Sequence, residues 1–532
     1  MRLTRRDLLA GAAALSATSV LPFAIGGAGA AGKSLLKIIP HADLKVIDPI
    51  WTTGYISRNH GYMVYDTLFA MDDDLKPQPQ MVSTYEKSAD GLTWQFKLRD
   101  GLAWHDGSPV TGEDCVQSLK RWAQRDGMGQ RLFAVVDKIG APDAGTIEMV
   151  LKAPYGLVLE SIGKISSNVP FMMPKRIAET PGDQQIKDAM GSGPFVFKTA
   201  EWVPGSKAVY EKNPNYKPRS EPVSAASGGK IAKAERVEWL TIGDPTTAMN
   251  ALISGEVDYW EQVPPDLVPV VSQAPGVKTE VLDNLGSMGM ARFNHLIAPT
   301  DNPLVRQAIV KAFNQEDFLT AAVGNPQYFK VTQSIYPPGS AMQTDAGAEI
   351  VAPNLDEAKA LLAKSGYKGE KLVLMQATDI PLLSAFALVA AEKMRKIGIN
   401  VDLQAMDWST VISRRASKSP ATEGGWNIFV TWWIGGDSVH PLAGVQFGGN
   451  GEKGWFGWAK DEKLEAARDA FAKATDPAEQ KKIAGEVQKR IYEIGAFANL
   501  GTFFVPCGYR ESVTGMIKSP VQFFWNMEAK SS

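Results

Sequence analysis

The chain has 532 residues, room for roughly three domain-sized units at about 150 residues each; with 44% hydrophobic and 21% charged residues its composition is ordinarily globular, which excludes disorder, collagen and coiled coil. Lys and Arg number 56 against 58 Asp and Glu, a net charge of −2, so there is no basic surplus to meet a nucleic-acid backbone and no such partner is expected. Two cysteines, Cys115 and Cys507, and five scattered histidines supply neither a disulfide framework nor metal-ligand spacing.

The first 31 residues read as a targeting segment. Thr4-Arg5-Arg6-Asp7-Leu8-Leu9 is a twin-arginine sequence, with Arg5 and Arg6 the pair an export receptor would read. A charge-free Ala/Gly-rich stretch runs from Leu8 to Gly32, broken by Ser16, Thr18, Ser19 and Pro22, and is too weakly apolar for a stable transmembrane helix. Ala28-Gly29-Ala30 is a small-x-small cleavage site, so a cut near residue 30–31 is expected, and no cysteine stands beside it to carry a lipid. Removing residues 1–31 takes away three Arg and one Asp and leaves 53 basic against 57 acidic residues, a net −4. The expectation is a soluble periplasmic protein. Gly27 to Ser34 also matches the phosphate-loop pattern G-x-x-x-x-G-K-[ST], but it lies across the cleavage site without the strand before it and the helix after it that such a loop needs.

Beyond the signal, Leu35 to Ile39 reads as a strand ended by Pro40. Gly91 to Arg99 alternates apolar and polar residues, the period of a half-buried strand. Asp106-Gly107-Ser108-Pro109 makes a turn, and Thr111 with Asp114 predicts a capped helix through about Trp122, with Cys115, Leu119 and Trp122 on one face. Ser224 to Gly229 is a surface loop, and Asn302-Pro303 opens a helix. Leu372 to Met375, Pro381 to Ile397 and Ile399 to Leu403 read as strand, helix and strand, which implies a parallel pair with a right-handed crossover. Asn427 to Ile434 is an apolar strand running into Gly435-Gly436 and Asp437. Asp476, Pro477 and Glu479 open a last long helix with Ile483, Val487, Ile491 and Ile494 on its buried stripe. The class is α/β.

The segment from Phe96 to Asp114, FKLRDGLAWHDGSPVTGED, resembles the signature of family 5 extracellular solute-binding proteins, the peptide/nickel type of receptor for ABC importers. Ile47-Asp48-Pro49, Tyr65 to Leu68, Gly191 to Phe195, Trp202 to Gly205, Asn213 to Tyr216, Leu252 to Asp258 and Val305 to Ala308 follow in the family's order. The resemblance implies the two-lobed periplasmic binding protein fold of the large peptide-binding type, with a hinge and an interlobe ligand cleft. Lobe I is expected to span 32–288 and return over 504–532, with lobe II over 289–503. It implies a monomer that binds a peptide or another amine-bearing compound and delivers it to ABC permease transmembrane subunits. The competing readings are a two-lobed receptor or chaperone uncoupled from import, and a serine hydrolase using Ser438.

Catalysis finds little support in the residues. Gly436-Asp437-Ser438 resembles the nucleophile block of one esterase family, but His440, two residues beyond Ser438, cannot serve as its base without a sharp turn. H-E-x-x-H, G-x-S-x-G and a strand-linked G-x-G-x-x-G are missing, so neither an enzyme nor a cofactor is expected. In the family the strand ending at Ile434 reaches the cleft, and peptide-binding members use the acid at the position of Asp437 to hold the ligand's ammonium. His440 stands where those members carry a second acid. Of Trp432 and Trp433, one is expected to face the cleft and one the core, because strand neighbours point oppositely. Trp455 and Trp458, set among glycines, are further candidates for the cleft, as are Tyr55 and His60, which sit where the family approaches its ligand. If the export reading holds, Arg5→Lys combined with Arg6→Lys leaves uncleaved precursor in the cytoplasm on cell fractionation; efficient export of the double variant would refute it.

Overall fold

The computed structural model describes residues 34–474 and 476–530. The proposed signal over 1–31, with Arg5 and Arg6, lies outside the described residues, as does all but the last residue of the phosphate-loop look-alike. In chain order, β1 (Leu35–Ile39) and α1 (Tyr55–Val64) come first. Next are β2 (Val82–Lys87), β3 (Thr93–Leu98), α2 (Gly112–Ala123), β4 (Val136–Asp143) and β5 (Thr146–Leu151). β6 (Phe195–Phe197), β7 (Lys207–Lys212), β8 (Arg236–Leu240), β9 (Tyr259–Trp260) and β10 (Val277–Glu280) follow. β11 (Ser287–Phe293), α3 (Pro303–Ala312), β12 (Phe329–Lys330), β13 (Leu372–Ala377), α4 (Pro381–Lys396), β14 (Val401–Met406) and α5 (Trp408–Arg414) lead to β15 (Ile428–Ile434). α6 (Pro477–Ile494), β16 (Phe497–Phe503) and β17 (Cys507–Arg510) complete the frame.

These strands build two large sheets, the cores of two lobes. One has seven strands in the order β10-β17-β9-β1-β8-β7-β6, with β1 at its centre and parallel neighbours β8 and β9. The other has six, in the order β12-β16-β11-β15-β13-β14. A four-stranded antiparallel sheet, β2-β3-β5-β4, carries α2 against β4 and β5.

Local chemistry accounts for the elements that the sequence predicts. In β3, Trp94, Phe96 and Leu98 point inward while Gln95 and Lys97 are exposed. The α2 cap forms as a reciprocal pair: Asp114 N–H donates to Thr111 Oγ1 at 3.3 Å, and Thr111 N–H donates to Asp114 Oδ2 at 2.8 Å. Cys115, Leu119 and Trp122 are all fully buried on that helix, and both cysteines are free thiols. β13, α4 and β14 form the parallel crossover unit, with Pro381 in the first turn of α4 and Gly398, at φ 99°, closing it. β15 is an interior strand between antiparallel β11 and parallel β13 and is buried along its whole length, so both of its faces are covered and its sequence is a continuous apolar run instead of an alternating one.

The chain passes from the seven-stranded to the six-stranded sheet over residues 281–286 and returns over 504–506. These two crossings touch. Gly286 has φ 69°, and a Cβ there would stand 2.8 Å from the Phe504 ring, so the contact requires glycine on both counts.

The early Ile47-Asp48-Pro49 motif holds the first lobe together electrostatically. Asp48 and Arg121 are both fully buried, and Arg121 Nη2 donates to Asp48 Oδ2 at 2.7 Å and Nη1 to Oδ1 at 3.2 Å. The backbone N–H groups of Ile50, Trp51 and Ile186 complete the carboxylate's shell. Removing one charge leaves the other buried and unpaired, so Asp48→Asn is expected to cost about 3–5 kcal/mol in urea unfolding. A loss below about 1 kcal/mol would show that the pair does not stabilise this lobe.

Candidate ligand-binding cleft

Parallel strands aim their carboxyl ends at one edge of a sheet, and both sheets turn that edge toward the same space. From one lobe come the segments after β1, β8 and β9, carrying His41, Ile242 and Gln262; from the other come Asp379 and Trp408, just beyond β13 and β14. Between them, with Phe504 of the return crossing, lies a cavity of about 650 Å³. Volume and bilobal lining suit a small organic ligand.

Two small compartments adjoin it and share His41, Tyr55 and Trp432 with each other. One, of about 30 Å³, is aromatic, with Trp408, Trp433, Trp455 and Arg415 in its wall. Trp408 stacks on Trp432 at 6.0 Å and 22°, and Trp433 meets Trp455 edge-on at 5.0 Å. The other, of about 60 Å³, is polar and carries Arg58, Glu261 and Asp283.

Each charged group there has a defined setting. Arg58 is 5% exposed, lies 4.4 Å from the Tyr55 ring centroid and donates to Ser166 Oγ at 2.7 Å; burial lowers its pKa. Glu261 accepts from the His41 N–H and Nδ1, each at 2.9 Å, and from Asn59 Nδ2 at 3.1 Å. Burial raises its carboxyl pKa, but the His41 contacts and Arg58 overcome this and hold it below the usual range. Asp283, in the first crossing, accepts from the N–H groups of Leu285 and Gly286 on one oxygen. Burial pushes Asp283 up to about 7, although those two N–H groups and Arg58 pull the other way.

The predicted residues divide in this frame. Tyr55, Trp432, Trp433 and Trp455 line the compartments, and both members of the Trp432-Trp433 pair reach the aromatic one. Asp437 does not line these cavities. It is fully buried, and its oxygens accept from Tyr55 Oη at 2.8 Å, Ser166 Oγ at 3.1 Å and Ser167 N–H at 2.7 Å. Burial raises its pKa, against the charges of Lys164 and Arg58. Tyr55 Oη also accepts from Ile434 N–H at 2.9 Å, so one hydroxyl ties α1 to β15. His60 lies away from the cleft: it is fully buried against Phe197 and Tyr210. Five residues along a helix turn through about 140° from Tyr55, so α1 cannot present both side chains to one space. Trp458, at φ 51°, packs on Trp426 away from the cavities. Ser438 accepts from Gln446 Nε2 at 3.2 Å and His440 Nδ1 from Leu442 N–H at 3.1 Å, so the two do not pair.

Arg58, Glu261, Asp283, Trp408 and Arg415 were not singled out from the sequence. Arg58 had a usable signal, since it stands three residues after Tyr55 on the same helical face. Trp408 had another, as the first helical residue behind the N-cap Asp407.

Comparison with known proteins bears on this arrangement. The family model described as bacterial extracellular solute-binding proteins, family 5 Middle, matches residues 76–455. A relative from Sinorhizobium fredii, a probable peptide ABC transporter periplasmic-binding protein, y4tO, is 38% identical over 99% of this chain and 100% of its own. Among solved structures, the binding protein AgaA from A. tumefacien R10, in complex with agropinic acid, is 22% identical, covers 94% of this chain and 99% of its own and superposes with a TM-score of 0.77. DppA from Helicobacter pylori, in complex with the peptide STSA, is 19% identical with the same coverage and a TM-score of 0.77. The two structures share this chain's fold.

Asp283 makes stability depend on pH. The folded chain holds its proton up to about pH 7, whereas an unfolded Asp releases it near about 3.9. Its contribution is therefore fully present below about pH 4 and is lost as pH rises through about 7. Asp283→Asn keeps the backbone contacts and removes the titration, so the wild-type-minus-variant difference in urea stability should fall across that window. A flat difference would show that Asp283 does not titrate there.

Proposed function

The chain belongs to the bacterial extracellular solute-binding proteins of family 5, the substrate-binding components of ABC importers, and we propose that it encloses a small amine-bearing solute in the cleft between its lobes. The observation that carries this reading is the cavity of about 650 Å³ walled by both sheets and continuous with a polar compartment containing Glu261 and Asp283. Asp283 Oδ2 takes no hydrogen bond among the described residues and Asp283 lines that compartment, which favours it over Asp437 as the acceptor for a ligand ammonium, whose charge would displace the proton that the empty protein holds up to about pH 7. Asp437, its oxygens already held by three donors, closes the lobes through Tyr55. Trp408 and Trp432 offer a stacked aromatic wall for the solute's apolar part.

In this reading the precursor is exported through its twin-arginine signal, is cut near residue 30–31 and works as a periplasmic monomer that passes its cargo to permease subunits without chemistry. No described helix is long and apolar enough to cross a membrane. Native mass spectrometry of protein purified from periplasm is expected to show a co-purifying solute. Small-angle scattering should give a smaller radius with that solute than after its removal, through rotation about the two crossings. Tyr55→Phe removes a charge-assisted hydrogen bond that exists only with the lobes closed. That bond is worth about 1.5–3 kcal/mol, so calorimetric affinity should fall by about 10- to 150-fold with little change in the stability of the emptied protein. An unchanged radius, or affinity within about threefold of wild type, would overturn the closure assignment.

A further inference from the structure

We infer that the small aromatic compartment is an inorganic anion site, holding one chloride ion among Arg415 and the indole N–H groups of Trp433 and Trp455. Arg415 Nε, Trp433 Nε1 and Trp455 Nε1 are buried atoms of residues in the wall of this one cavity, and none has a hydrogen-bond partner. Their residues are 4%, 3% and 9% exposed, so bulk water does not serve them. All three atoms can only donate, so what is missing is an acceptor. Size narrows the choice. The cavity holds about 30 Å³, about the share of one water in the liquid, which admits a single water or a monatomic ion and no organic acid.

Charge decides between those two. A water accepts from two donors, leaves the third unmet and brings two hydrogens that need acceptors of their own. No Asp or Glu lines the compartment among the described residues. Arg415 stands just after α5, with its guanidinium 4.7 Å from the Phe456 ring centroid and 5.7 Å from that of Trp455. Its Nη2 donates to Thr53 Oγ1 at 3.1 Å, no carboxylate pairs with it among the described residues, and burial alone pulls its pKa down to about 9. Arg292, fully buried and 5.1 Å from the same Trp455 ring, donates to the carbonyls of Phe456, Gln446 and Ala496 and adds a second positive charge without a counter-ion. The ring faces offset part of the cost of these unpaired buried cations, and a chloride ion accepts all three free donors while balancing one of the two charges. All three donors follow the first crossing in the chain, whereas Thr53, Gly54 and Tyr55, which wall the compartment opposite them, precede it. One lobe therefore binds the ion and the other covers it, and the ion is part of the cleft wall whichever solute the cleft takes.

The test compares chloride with gluconate, an organic anion too large for the compartment, at equal ionic strength. An ion that binds the folded chain alone stabilises it by mass action, so replacing gluconate by chloride at about 150 mM should raise the melting temperature of the wild-type protein by about 2 °C or more. Arg415→Met should lose that increment. Two further readouts use wild-type protein and do not depend on the variant's folding. With ¹⁵N-labelled indoles, assigned by Trp433→Phe and Trp455→Phe, both N–H resonances should shift as chloride replaces gluconate. Crystals grown without halide and soaked in sodium bromide should show an anomalous peak bounded by Arg415 Nε and the two indole nitrogens. A melting temperature indifferent to the anion, an increment that survives in Arg415→Met, unmoved indole signals, or bromide found only elsewhere would each overturn the inference. The compartment would then hold a water, and the solute-binding reading, which is tested by the co-purifying solute, would stand unaffected.

Discussion

A buried carboxylate and the hydroxyl beside it tie the two lobes together at the cleft. Tyr55, at the start of α1, donates to Asp437 and accepts from the N–H of Ile434, the last residue of β15. The other donors to Asp437, Ser166 and Ser167, also lie in the chain before the first crossing. A carboxylate enclosed without such donors would be far too costly to bury. With them, closing exchanges water for three protein donors, and the net gain is only a fraction of the gross bond energies, about 1.5–3 kcal/mol for the Tyr55 bond, because these bonds largely replace those to water. Small is what a receptor needs: a lobe contact that strongly favoured closure would shut the cleft without cargo, and one that opposed it would tax every binding event.

The aromatic and polar compartments divide the remaining work. Trp432 belongs to both, and Tyr55 separates the carboxylate latch from the open polar space. The groups already satisfied by the protein, Asp437 and Glu261, sit beside groups left with free valences, Asp283 on the acid side and Arg415 on the basic side. Under the proposed function, the satisfied groups would set the shape of the closed state and the unsatisfied ones would be available to a ligand. The sorting follows from hydrogen-bond bookkeeping in a space too small to hold more than a few waters.

Much of the fold was legible because its determinants are local. The Thr111–Asp114 cap, the alternation of β3, the β13-α4-β14 unit and the continuous apolar run of β15 each announce themselves within one continuous stretch of chain. Tyr55, Trp432, Trp433 and Trp455, which line the aromatic compartment, stood out in the sequence for a related reason: each is a large aromatic beside a helix start, a strand end or glycines. His60 misled because closeness in sequence is not closeness in space on a helix, where Arg58 shares the Tyr55 face instead. Asp437 was found as a position but not in its setting, which depends on serines some 270 residues away.

What stayed hidden shares one property. Arg58, Glu261, Asp283 and Arg415 come from α1, the end of β9, the first crossing and the turn after α5, and only the tertiary fold brings them to the cleft. A lone acid or base in a sequence is by default a solvated surface group. Nothing within a few residues of Asp283 marks it as different; its environment is made by a neighbouring crossing and by a helix more than two hundred residues earlier. The same long-range assembly lets ligand chemistry diverge while the fold stays put. Most of the caps and apolar positions that specify the lobes lie away from the cleft, although β15 lends it Trp432 and Trp433, so the cleft's polar groups can vary more freely than the frame around them.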